Sequence, residues 1–168
     1  MPAAHSARRA ALRRLLADRD LDALLVTDLL NIRYLTGFTG SNAALLVTTD
    51  DDVDESRTVV CTDGRYLTQV AAQVPDLRAE IARASADHLV RSAATPARWG
   101  FESHVVTVDA HVRWAGLDSP LTLTPAPGLV EQLRMVKDEH EVGLLAAACA
   151  VADRALADLV AAGGLRPG

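Results

Sequence analysis

The chain has 168 residues, 49% hydrophobic and 23% charged, with a formal net charge of −5. These values fit one soluble globular domain, with at most a piece of a second. They argue against a nucleic-acid groove, and no apolar run approaches the ~20 residues of a membrane span.

In chain order, Ser6 to Arg19 has the spacing of an amphipathic helix, with Leu12, Leu15 and Leu16 on one face and the arginines mostly on the other. Arg8, Arg9, Arg13 and Arg14 interrupt any signal-peptide core, so a cytoplasmic location is expected. Leu24-Leu25-Val26 reads as a short buried strand and Asp28 to Leu35 as a short helix or turn. The glycine-bearing loop Gly37-Phe38-Thr39-Gly40-Ser41-Asn42 follows, then a buried strand over Ala43 to Val47. Thr58 to Cys61 is a further strand, and Asp50 to Arg57 between them reads as a solvated hairpin loop. Tyr66 to Val74 is a helix, Glu80-Ile81 a weak strand, Asp87 to Ala94 a helix, and Trp99 to Glu102 an inner strand. Val108 to Ala115 (helix), Leu121 to Leu123 (strand) and Gly128 to Met135 (helical turn) lead to one long helix from Asp138 to about Ala162. Strands separated by helices, with an early hairpin, predict an α/β fold with a mixed β-sheet flanked by helices and a long C-terminal helix.

Several constellations invite chemistry and fail on spacing. Asp50, Asp52 and Asp54 alternate as in a calcium loop, but the sixth and twelfth places hold Glu55 and Cys61 instead of Gly and Glu. The Gly37–Ser41 loop lacks the Gly-Lys-Ser/Thr ending of a phosphate loop and runs into a strand rather than a helix. The five histidines form no HxxxH or HExxH pair. A Ser41–His104–Asp63 triad has no local support, since triads are defined by geometry. Cys61 and Cys149 are too few and too far apart for a disulfide framework or a zinc knuckle, and both are expected to be packed thiols. Asp63-Gly64-Arg65-Tyr66 follows a strand and opens a helix: Asp63 is a capping residue by type, and Arg65 or Tyr66 could face a ligand or a partner subunit. In the last helix Val142, Leu145, Cys149, Ala152, Leu156 and Leu159 recur at heptad-like intervals for under three heptads. Asp138, Glu139 and Glu141 favour its start through the helix dipole, while Gly163, Gly164 and Pro167 end it.

Four stretches, Asn31–Val47, Thr62–Tyr66, Gly100–Ser103 and Pro125–Ala157, together resemble, in order, the N-terminal portion of the Xaa-Pro peptidases: aminopeptidase P, prolidase and creatinase relatives. The resemblance implies an N-terminal α/β domain with a ribonuclease-H-like motif over residues 1–136, and over 137–168 the connector and first helix of a pita-bread catalytic domain. It implies two divalent metals (Mn, Co or Zn) in the intact enzyme, held by Asp, His and Glu of that second domain. No metal ligand, catalytic residue or cofactor contact carries over to this chain, which is therefore expected to be inactive alone.

The resemblance further implies a homo-oligomer, with the chain's own catalytic domain as partner and a peptide substrate for the intact enzyme only. Tyr34, Gly37, Phe38, Gly40, Ser41, Arg65 and Tyr66 are the candidates for a substrate-access border or a subunit interface, beside a purely structural role for them. Rival readings are a stand-alone α/β interaction domain, a creatinase-like hydrolase of a non-peptide substrate, and a phosphate-ligand enzyme.

Overall fold

The computed structural model describes residues 2–49 and 55–164. The acidic run 50–54 and Pro167, both used in the sequence reading, lie outside the described residues. The chain divides into two compact units, Met1–Leu133 and Arg134–Gly168.

In the first unit the elements are α1 (Pro2–Ala17), β1 (Ala23–Val26), α2 (Leu29–Thr36), β2 (Ala43–Thr48), β3 (Val59–Thr62), a 3-10 turn (Gly64–Tyr66), α3 (Leu67–Gln73), β4 (Arg78–Ile81), α4 (Ser85–Arg91), β5 (Ala97–Phe101), α5 (Val108–Ala115) and β6 (Leu121–Pro125). A short helix, α6 (Leu129–Arg134), follows, and α7 (Glu139–Ala161) belongs to the second unit. The six strands form one sheet in the order β4-β3-β2-β1-β5-β6. β2 is antiparallel to β1 and β3, while β1–β5, β5–β6 and β3–β4 are parallel pairs. The antiparallel β2–β3 pair is the early hairpin of the sequence reading, and it makes the sheet mixed as predicted.

Strand periodicity of two sends alternate side chains to two cores. Leu24, Val26, Leu45, Val47 and Val60 join α1, α2, α3 and α6 through Leu12, Leu16, Ile32, Leu35, Val70 and Leu129. Ala23, Leu25, Leu46, Val59 and Cys61 meet α4 and α5 through Leu89, Val90 and Trp114 on the other face. β1 is buried on both faces, which explains its unbroken apolar sequence. β4 is the opposite case: an exposed edge strand carrying Arg78 and Glu80, hence its weak sequence signal.

Three expectations are corrected. The arginines of α1 do not simply line its solvent face. Arg9 is fully buried, and its guanidinium donates to Glu55 (Nε–Oε1 3.0 Å), to the Leu35 carbonyl (2.8 Å) and to Asp76 (2.6 Å). Arg13 reaches the same Glu55 at 2.6 Å. Glu55, expected at a solvated loop, is consequently buried, in a left-handed conformation with φ of 54°. Burial alone would raise its carboxyl pKa, but hydrogen bonds from Arg9 and Arg13 outweigh that and hold it below the ordinary value. Of the two thiols, Cys61 is packed as expected, whereas Cys149 is exposed, because no residue of α7 is buried.

Candidate functional site

The C-terminal ends of the five parallel strands gather at one edge of the sheet, where open α/β sheets place their ligands. Asp28 caps α2 there, accepting from the amides of Leu30 (2.7 Å) and Asn31 (3.1 Å). Gly37 ends that helix at φ of 80°, its N–H returning to the Arg33 carbonyl at 2.7 Å. The chain then turns through Phe38, which is buried, and Gly40, where a Cβ would sit 2.4 Å from Phe38 Cζ and 3.1 Å from Tyr66 Cδ1. Glycine at position 40 is thus a packing requirement: it lets the loop lie on the Phe38 ring, which meets Tyr66 edge-on with centroids 5.7 Å apart.

Beyond the loop, Ser41 Oγ and the Tyr66 hydroxyl share a 2.6 Å hydrogen bond. Asn42 Nδ2 donates to Asp63 Oδ2 (2.7 Å) and to the Arg83 carbonyl (3.1 Å). Asp63 caps the 3-10 turn through the Arg65 amide (3.0 Å) and also takes the Arg65 guanidinium through Nε (2.9 Å) and Nη2 (2.8 Å). Those Arg65 hydrogen bonds, then the one from Asn42, hold the Asp63 carboxyl far below the usual carboxylate range. Arg65 also lies over the Tyr66 ring at 5.3 Å. An open cleft of about 660 Å³ is lined by Asn42, Asp63, Gly64, Arg65 and Arg83.

Of the seven residues singled out from sequence, five form this one cluster: Phe38, Gly40, Ser41, Arg65 and Tyr66. Phe38 and Gly40 are buried beneath it, leaving Ser41, Arg65 and Tyr66 toward the surface. Tyr34 lies apart, under the Arg8 guanidinium at 4.1 Å, and Gly37 faces the His5 ring. The drawn triad does not assemble: Ser41 pairs with Tyr66, Asp63 with Arg65, and His104 with Glu131. Asn42 and Arg83 were missed; Arg83 is a lone arginine after a weak edge strand, and nothing local in the sequence marks it.

A second polar cluster, also unforeseen, occupies the same sheet edge. Glu102, buried at the end of β5, accepts from the amides of Thr27 (2.6 Å) and Asp28 (2.8 Å) and from Asn31 Nδ2 (2.6 Å). Asn31 Nδ2 also donates to Glu131 on α6 at 2.6 Å, and His104 Nε2 lies 3.2 Å from the same Glu131 oxygen. Burial pushes the Glu102 carboxyl up despite these donors, with the Glu131 charge adding to the rise. Glu131 is itself desolvated, yet the Asn31 and His104 bonds bring it below the ordinary value. The four stretches that carried the family resemblance therefore meet physically: Asn31 and Asn42, Asp63, Glu102 and Glu131 each come from one of them. Among the described residues, no three His, Cys, Asp or Glu side chains gather as metal ligands, so this site does not fit a dinuclear centre.

The creatinase/prolidase N-terminal domain model matches residues 8–136. An uncharacterized peptidase of Bacillus subtilis (strain 168), YqhT, is 33% identical over 149 residues, covering 86% of this chain and 40% of its own length. The chain thus spans less than half of that curated relative. The crystallised N-terminal domain of the cytoplasmic peptidase PepQ from Mycobacterium tuberculosis H37Rv is 46% identical, with TM-score 0.70, over 76% of this chain and 98% of that one. The corresponding domain of a metallopeptidase from Corynebacterium diphtheriae is 42% identical, with TM-score 0.67, over 74% and 97% of the two chains. A Xaa-Pro dipeptidase from Bacillus anthracis, 23% identical, shares the fold over 98% of this chain and 44% of its own, with TM-score 0.80.

Proposed function

The chain belongs to the creatinase/prolidase N-terminal domain family, and we propose that its part there is non-catalytic: it is the N-terminal domain of a metal-dependent Xaa-Pro peptidase. What supports the reading is the match over residues 8–136 in a chain spanning 40% of its curated peptidase relative. The hydrolytic step, with its two divalent ions, belongs in this reading to sequence beyond residue 168. When bound there, the ions would supply an activated water and polarise the scissile carbonyl. The residues described here serve assembly and access: Ser41, Arg65 and Tyr66 form the rim presented to a neighbouring subunit of a homo-oligomer in the cytoplasm.

Two measurements test this. The 168-residue chain, supplied with manganese and an X-Pro dipeptide, is expected to show no hydrolysis above buffer, and turnover by the chain would refute the non-catalytic role. In the longer polypeptide, Tyr66→Ala is expected to raise KM with kcat nearly unchanged. Equal kinetics for both proteins would remove the rim assignment.

A further inference from the structure

The cleft at Arg65 has an unbalanced charge. Both Asp63 oxygens are already engaged, Oδ1 by the Arg65 amide and Nε, Oδ2 by Arg65 Nη2 and Asn42. The Arg65 donors left over are the two of Nη1 and the second of Nη2, on a side chain that is 70% exposed and fixed at its other edge. Arg83 lines the same cleft and has no side-chain partner among the described residues. The cleft therefore carries one surplus positive charge and two guanidinium groups, one of them prealigned by a bidentate carboxylate.

A neighbouring depression of about 320 Å³ shares Asn42 and Arg83 with it. Its other walls include Ala84, Val105, Val106 and Ala110. Its one carboxylate, Asp87, is occupied by Arg113 Nε (2.9 Å) and Trp114 Nε1 (2.7 Å). This depression lies where the chain, having run from β1 outward to β4, crosses back to lay β5 on the other side of β1. That is the switch point at which such sheets open a crevice.

The geometry points to a binding site for a monoanionic carboxylate that bears an apolar side chain, such as the C-terminal residue of a peptide. The carboxylate would lie between Arg65 Nη1 and Arg83, and the side chain would enter the Val105–Ala110 depression. A single surplus charge matches a monoanion better than a phosphate dianion, and the planar guanidinium fork matches a planar carboxylate. This goes beyond the non-catalytic reading, because the binding is a property of this chain alone.

The test titrates the 15N-labelled 168-residue chain with N-acetyl-leucine, N-acetyl-leucinamide and inorganic phosphate, following arginine Nε and backbone signals. The acid is expected to shift Arg65, Arg83, Ala84 and Val105, and the neutral amide to leave them in place. Arg83→Ala, at an exposed position, is expected to weaken the acid about tenfold while the β1 amide signals stay unchanged. Arg83→Lys should fall between the two. Equal binding of acid and amide, unaltered binding by Arg83→Ala, tighter binding of phosphate, or no shift up to the solubility limit would each overturn the assignment. None of those results would touch the family membership, which stands on residues 8–136.

Discussion

The Arg9 guanidinium, fully buried between Glu55, Asp76 and the Leu35 carbonyl, fastens α1 to the segments that precede β3 and β4 and to the last turn of α2. Removing one partner of such a group strands a buried charge, at about 3–5 kcal/mol. Arg9→Ala is accordingly expected to lower urea-unfolding stability by that amount, and a loss under about 1 kcal/mol would contradict the buried network. Glu55 and Glu102 should respond to pH in opposite senses. The folded pKa of Glu55 lies below its unfolded value of 4.5, so its contribution is complete above pH 4.5 and fades as pH falls through the folded value. The folded pKa of Glu102 lies above 4.5, so its contribution is complete below pH 4.5 and fades as pH rises through the folded value. Carboxyl 13C titration should place the Glu102 midpoint above, and the Glu131 midpoint below, that of an exposed glutamate; the reverse order would refute the described network. Neither cluster was legible in the sequence. Helical periodicity places Arg9 by its angle around α1, but says nothing of a carboxylate 46 positions away that can neutralise it.

Elements were more legible, where local chemistry decided them. The acidic start of α7 was read as favourable to the helix, and there Asp138 completes a capping box with Glu141 through 2.8 and 3.0 Å bonds. Asp138→Ala is expected to cost α7 about 1 kcal/mol, seen as lost helical ellipticity; an unchanged spectrum would show the box to be idle. The Gly37–Ser41 loop was recognisable as special, but its reason was not. Sequence allows positive φ or close approach at either glycine, and the structure divides the two: Gly37 supplies the left-handed turn and Gly40 the close contact with Phe38. Gly40→Ala must displace a buried aromatic ring and is expected to destabilise by about 1–3 kcal/mol. Wild-type stability in that variant would mean the loop packs more loosely than described. Boundaries slipped where no cap announces them. Helix α4 begins at Ser85, two residues before the expected Asp87, after an Ala84 that offers no side-chain cap.

For the whole molecule, the class of sheet was readable from the alternation of strands and helices, but the strand order was not. Nothing local in the sequence says that the chain crosses from β4 at one edge back to β5 beside β1. That crossing is what creates the sheet-edge crevice, so the site's position was as illegible as the topology that makes it. The heptad-like stripe of α7 was visible in the sequence, and its members Val142, Leu145, Leu156 and Leu159 are about half exposed. Covering the exposed half of each would gain about 0.8–1.5 kcal/mol, so light scattering is expected to show concentration-dependent association. A monomer at every concentration would contradict it. The stripe also includes Cys149, the exposed one of two thiols, whereas Cys61 is buried and its thiol pushed up chiefly by that burial. The native chain therefore carries a single addressable anchor for a fluorophore. Maleimide dye should attach there alone, and its emission would shift to the blue whenever another surface settles on α7, turning the helix into its own docking reporter without any engineered residue.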